Sequence, residues 1–411
     1  MDVRKELISR FFRYAAIDSQ SNGSEQSLPS SPGQAALAAL LADEMRALGL
    51  QDVLVDARAI VTGVKRGSRP DAPSIGFIAH LDTVDVGLSP VISPQILRFE
   101  GKNLCLNAAE DIWLRVAEHP EIRPWMGEDI IVGDGTSVLG ADNKAAIAVI
   151  MTLLGRLDQQ ELGDVFVAFV PDEEIGLRGA KALDLARFPC DFAYTIDCCE
   201  LGEVALETFN AASAEIAFTG VSAHPMSAKG TLVNPLTMAM DFISHFERND
   251  TPENTAGRQG FFWFKDLVAN DSEATLTCLI RDFDTEGFDQ RKRGIAEVAE
   301  RIQLDYPTGN VHHQITDTYR NIATSLVHDD RAVALLFQAM GELGIEKKLI
   351  SMRGGTDGAV LSARGVPTPN FFTGAHNFHS RFEFLPVPAF EQSFEVALGI
   401  CRLAAVICAR S

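Results

Sequence analysis

The chain has 411 residues, 46% of them hydrophobic, enough for two domains and a well-buried core, so disorder is excluded as the default reading. Thirty-six Lys and Arg face 56 Asp and Glu, a formal charge of -20 that repels phosphate backbones and anionic lipid and excludes nucleic acid and membrane surfaces as expected partners. Seven scattered cysteines, an odd number without paired-knuckle spacing, predict reduced thiols rather than a disulfide framework or a structural zinc site.

Along the chain, residues 1–16 read as a helix in which Asp2, Arg4, Lys5 and Glu6 interrupt the apolar core that a signal peptide needs. No apolar run approaches the roughly 18 residues of a membrane span, so a soluble, cytoplasmic protein is expected. Helical spacing continues over residues 32–50, followed by one strand over 53–64. Short apolar runs at 75–79, 165–170 and 192–196 predict buried strands, with a helix over 143–157, and this alternation implies an α/β domain around a mostly parallel sheet. Near residue 210 the pattern changes. Strands are predicted at 212–220, 260–269, 273–284 and 311–319, and helices at 234–248 and 287–302, the βαββαβ order of a ferredoxin-like module. Alternation resumes through 331–343, 349–352, 369–372 and 389–406. The predicted division is therefore 1–209 and 323–411 as one catalytic domain, with an inserted lid domain at 210–322.

Several segments place metal-ligating side chains just after predicted strands, where a parallel sheet opens its binding crevice. In His80-Leu-Asp82-Thr83, residues two apart in extended chain face one side, so His80 can ligate a metal while Asp82 accepts a hydrogen bond from its other ring nitrogen. Asp142, in Leu139-Gly-Ala-Asp142-Asn-Lys144, lies between a glycine turn and a helix start, where a helix cap is an equal alternative. Glu173 and Glu174, adjacent in a non-helical segment, point apart, so one can ligate while the other holds a water. Asp197 closes a strand. The loop Gly374-Ala-His376-Asn-Phe-His379-Ser-Arg-Phe-Glu383 offers two histidines. A mixed nitrogen and oxygen shell suits zinc better than calcium or magnesium.

Taken together and in order, these motifs resemble the di-zinc metallopeptidase family that includes peptidase T, carboxypeptidase G and the aminoacylases. The likeness is to the peptidase T branch, through Glu207-Thr-Phe-Asn210-Ala-Ala-Ser213, Ile280-Arg281-Asp282-Phe283-Asp284, Asp317-Thr-Tyr319-Arg-Asn321 and Arg353-Gly-Gly-Thr356-Asp357-Gly358. The resemblance implies an aminopeptidase acting on tripeptides with two zinc ions: His80 and Asp197 on one, Glu174 and His379 on the other, and Asp142 bridging. Glu173 would be the general base and Asp82 would fix the His80 tautomer. His224 would stabilise the oxyanion and Arg281 would clamp the peptide carboxylate, with Arg353, Asn321 and Tyr319 as further substrate contacts. For His224 a turn histidine, and for Arg281 a surface ion pair, remain alternatives. The spacing to Glu383 selects His379 over His376.

Two departures stand out: Cys198 and Cys199 replace small glycines, and Pro225-Met226 replaces proline-glycine. Residues 105–126 match no family segment. The same metal shell also serves hydrolysis of N-acyl amino acids and carboxypeptidase or dipeptidase activity. A non-catalytic metal-dependent binding protein would require loss of a ligand or base, and none is missing. Either a monomer or a homodimer is compatible with the sequence.

Overall fold

A computed structural model describes residues 2–157 and 161–407; Met1 and Cys408 of the expected terminal helix and cysteine set lie outside them. The chain forms two compact units, one of Met1–Leu206, Ile322–Ile350 and Thr356–Ser411, the other of Glu207–Asn321 and Ser351–Gly355. The grouping of Ser351–Gly355 with the inserted unit differs from the sequence expectation, which kept residues 323–411 whole.

The first unit is built on an eight-stranded sheet whose four middle strands, Val165–Val170, Ile75–His80, Phe192–Cys198 and Asn370–Phe372, run parallel. The first two are buried along their whole length, as strands covered on both faces must be. Antiparallel strands flank this centre. The single strand expected at 53–64 is instead a hairpin, Gln51–Val55 and Val61–Lys65. Asp56 makes the turn: its carboxylate accepts from the amides of Arg58 and Ile60, while Ala59 takes a left-handed φ of 60°.

The helix Ala141–Leu154 is buried on every side, in keeping with a sequence that is apolar all round after its first turn. It packs against the helices Val3–Ala15 and Val387–Ala404. Residues 105–126 also gain a structure: strands Leu104–Asn107 and Ile112–Leu114 pair, and the turn Pro120–Trp125 follows. Leu104, Leu106, Leu114 and Ile122 bury themselves with Ile130, Val132 and Phe384 in a small separate core. Among the described residues no helix is long and apolar enough to cross a membrane.

The inserted unit has the expected βαββαβ order. Its strands Phe261–Ala269, Glu273–Asp282, Asn210–Thr219 and Asn310–Tyr319 form one antiparallel sheet in that spatial order. Alternate residues Ala212, Ala214, Ile216 and Phe218 face the helices Pro235–Ser244 and Thr285–Asp305 in a continuous core.

Candidate metal centre

The ends of the parallel strands, with two loops, gather two groups of ligand-type side chains: His80, Asp142 and Asp197, and Asp142, Glu174 and His379. Within each group the ligand atoms lie within 4.8 Å of one another. Asp142 belongs to both. Its Oδ1 lies 2.9 Å from His80 Nε2 and its Oδ2 lies 3.0 Å from His379 Nε2, so one carboxylate spans two imidazoles.

The local backbone explains how Asp142 reaches both. Gly140 turns the chain with a φ of 71°, and Asp142 itself departs from helical geometry at φ -79°, ψ 99°. The Asp142 carboxylate oxygens meet His80 and His379 rather than amides of the helix start, so the alternative of a helix cap does not describe it. The turn is held from outside by Glu383, whose buried carboxylate accepts the amides of Leu139 at 2.8 Å, Gly140 at 2.9 Å and Asp142 at 3.2 Å. Sequence reasoning used Glu383 only as a spacing mark; its position four residues after His379 was the available signal. Asn143 was also missed: its Nδ2 donates to Asp197 Oδ1 and to the Ile196 carbonyl, both at 2.8 Å, orienting the Asp197 carboxylate.

His80 is 2% exposed, and its Nδ1 donates to the Asp82 backbone carbonyl at 3.0 Å. The Asp82 carboxylate, expected to make that bond, stands 3.5 Å away and instead accepts the amides of Glu173 at 2.9 Å and Glu174 at 3.1 Å. Asp82 therefore joins the His80 strand to the Glu173-Glu174 loop through both its backbone and its side chain. A second carboxylate grips the same loop. Asp172, with a left-handed φ of 57°, accepts from the Ser30 amide at 2.9 Å, from the Ser30 hydroxyl at 2.5 Å and from Gln34 Nε2 at 2.7 Å. Its own amide donates to Gln34 Oε1 at 2.9 Å.

The donor chemistry fits cations. With Nδ1 carrying a proton to a carbonyl, His80 Nε2 would turn a lone pair toward the Asp142 carboxylate unless a positive charge stood between them. His379 Nε2 faces two carboxylates at once, Asp142 Oδ2 and Glu174 Oε1, each at 3.0 Å. One ring N–H cannot serve both, and the buried Glu174 Oε1 makes no hydrogen bond.

The electrostatics carry the same signature. Burial opposes a charged His80, but the Asp142 carboxylate at 2.9 Å, with those of Asp197 and Asp82 close by, outweighs it and holds its pKa well above the ordinary imidazole value. Burial likewise opposes charge on His379, yet the Asp142 and Glu174 carboxylates, each 3.0 Å from its Nε2, push it up to about 11. Asp142 is held well below the usual carboxylate range: burial would raise it, and the His379 and His80 hydrogen bonds overcome that. Burial, reinforced by the Asp142 charge, raises Glu174 to about 7 and Asp197 to about 6. Burial raises Glu173 well above an ordinary glutamate, as a proton acceptor working near neutral pH requires. Two protonated imidazoles thus occupy the electrostatic place of two cations.

The other predicted residues divide by unit. His376 joins neither group; its ring stacks on Phe384 and accepts the Trp125 indole N–H at 3.2 Å. Cys198 is buried and Cys199 half-buried beside Asp197, and burial raises both thiols. Asp357, singled out only as part of a motif, is a buried acid raised to about 8 by burial, with an Oδ1 that has no hydrogen-bond partner.

In the inserted unit, His224 is exposed and its Nδ1 accepts the Met226 amide at 3.2 Å, which leaves the ring proton on Nε2 as a free donor. Arg281 Nη1 donates to the carbonyls of Ala212 at 3.1 Å and Ile280 at 2.9 Å, and its guanidinium lies over the Tyr319 ring. Tyr319 closes on Gly355, where any Cβ would sit 2.6 Å from the ring. Arg353, expected to meet substrate, is committed to the carbonyls of Gly257 and Gln259 and the Thr255 hydroxyl. Asn321 is buried and staples the ends of the insertion: it accepts the Thr208 amide and donates to the Phe283 carbonyl, while its own amide donates to Asn210.

A family model described as peptidase family M20/M25/M40 matches residues 130–402. The chain belongs to this family. It is 80% identical to a peptidase T-like protein of Rhizobium meliloti (strain 1021), over 98% of this chain and 100% of that one. It is 40% identical to peptidase T of Geobacillus sp. (strain WCH70), over 98% and 99% of the two chains. The crystal structure of aminopeptidase PepT from Bacillus cereus ATCC 10987 shares the fold, with a TM-score of 0.76 at 20% identity over 98% of this chain and 99% of that chain. A peptidase family and a bifacial carboxylate between two histidines describe one kind of centre, a metal-dependent hydrolase site.

Proposed function

We propose that the protein is a zinc-dependent aminopeptidase that releases the N-terminal residue of tripeptides, acting in the cytoplasm. The observation that carries this reading is Asp142 offering one oxygen to each of two ligand groups. Two zinc ions held by His80 with Asp197, by Glu174 with His379, and jointly by Asp142 would supply the charge that polarises the peptide carbonyl and acidifies the attacking water. Full peptidase T relatives at 40% identity support the substrate class.

The chain's own residues supply the rest. Glu173, raised by burial, takes the proton of the attacking water and returns it to the leaving amine. Asp82 fixes the direction of Glu173 by accepting its amide, and keeps Glu174 in place by accepting the next. In the inserted unit, His224 offers an N–H donor of the kind that stabilises an oxyanion, and Arg281 offers a planar fork suited to the peptide's terminal carboxylate. Six described cysteines are unpaired, as a reducing compartment requires.

The test is timed hydrolysis of di-, tri- and tetrapeptides by the zinc-loaded protein. Tripeptides should lose their N-terminal residue fastest, chelator should abolish turnover, and Glu173→Gln should lower kcat by about 10²–10⁴ while retaining zinc. Preferential cleavage of N-acyl amino acids would replace this reading with the amidohydrolase alternative.

A further inference from the structure

A cavity of about 470 Å³ opens in the catalytic unit among the turn Pro120–Trp125, residues 200–201, residues 343–348 and the helix Val387–Ala404. None of the five metal-centre residues lines it. Its volume falls within the range of small-ligand sites. Trp125, Leu201 and Leu343 make an apolar wall. Glu200 and Lys348, which also line it, form an ion pair at 3.3 Å.

Two polar groups among the lining residues are left incompletely satisfied. Gln392 Oε1 is buried with no hydrogen-bond partner. His376, 6% exposed, accepts the Trp125 indole at Nε2, and burial lowers its pKa, so the neutral ring carries its proton on Nδ1. That nitrogen stands 3.8 Å from Glu200 Oε1, beyond hydrogen-bonding distance. An acceptor and a donor, beside a carboxylate and an ammonium, are complementary to a zwitterion.

We propose that this cavity binds a free amino acid with an apolar side chain, its ammonium on Glu200 and the Gln392 carbonyl, its carboxylate on Lys348 and His376, and its side chain against Trp125 and Leu343. This is the class of product that the proposed reaction releases, although binding does not depend on that reading. The cavity also adjoins the metal-binding loop in sequence: His376 is followed by Asn377 and, two residues further on, His379, with left-handed φ values of 58° and 62°. Asn377 Nδ2 donates to Glu121, another cavity residue, at 2.6 Å. An occupied cavity therefore slows peptide hydrolysis without competing with the peptide.

Calorimetric titration of L-leucine into the full-length protein tests this, with and without metal. One leucine should bind per chain in both states, while N-acetyl-leucine, lacking the ammonium, should not bind. Leu343→Trp, at a position 39% exposed, fills the cavity, and Gln392→Leu removes the acceptor; each should weaken binding by about tenfold or more, equivalent to about 1.4 kcal/mol. Tripeptide turnover without leucine should stay within about twofold in both variants, and leucine should lower kcat of the unmodified protein with little change in KM. Binding that vanishes on chelation, survives both substitutions or is absent overturns the proposal, whereas loss of tripeptide turnover alone would bear only on the reaction.

Discussion

At the scale of single residues, the centre is a set of charges that are mutually repulsive until cations or protons enter. The raised pKa values of His80, His379, Glu174 and Asp197 all mean that the metal-free folded state holds more protons than the unfolded chain. For the histidines the stabilising contribution is complete below the unfolded imidazole value and disappears as pH rises through the folded value, about 11 for His379. For Glu174 and Asp197, ionisation in the fold is unfavourable, so stability is lost as pH rises from the ordinary carboxylate range through about 7 and about 6. The signs agree. The midpoint of thermal unfolding of the chelated protein should fall from pH 6 to pH 9, and metal should flatten that slope. Metal must displace the protons, so titration in buffers of different ionisation enthalpy at pH 7 should show release of about two protons per chain on loading both positions.

At the scale of elements, the Glu173-Glu174 loop owes its shape to two carboxylates that precede it in sequence, one distant and one adjacent. Asp82 holds its amides and Asp172 ties its start to Ser30 and Gln34. Asp172→Ala strips an acceptor from three donors at once and should lower unfolding free energy by about 2–4 kcal/mol. It should also weaken the metal position held by Glu174 and His379 more than the other, a difference that titration of the two positions would resolve. Much of this centre was legible in the sequence because ligands that follow apolar strands announce themselves: His80, Asp197 and the Glu173-Glu174 pair all follow buried runs. The supports were not. Glu383, Asn143, Gln34 and Ser30 act across 53 to 244 residues of chain, and no local spacing encodes such partners. The hairpin at Asp56 was hidden for a different reason, since a five-residue turn without glycine interrupts apolar residues that read as one strand.

At the scale of the molecule, the chain interrupts one α/β unit with a ferredoxin-like one, and the sequence pattern showed this through its change of period near residue 210. The grouping of Ser351–Gly355 with the inserted unit was invisible, because its contacts, Gly355 against the Tyr319 ring and Arg353 on Thr255, Gly257 and Gln259, join residues far apart in the chain. Arg281→Lys keeps the charge but loses the fork, and should raise KM for tripeptides by about tenfold while sparing their amides, which lack the carboxylate. The claim on which the rest depends is that Asp142 serves two ions. The direct measurement is bound zinc per chain, by elemental analysis after dialysis, in the unmodified protein and in Asp142→Asn. The account gives two ions falling to one or none, with hydrolysis lost; two ions retained in the variant, or a single ion in the unmodified protein at saturation, would contradict it.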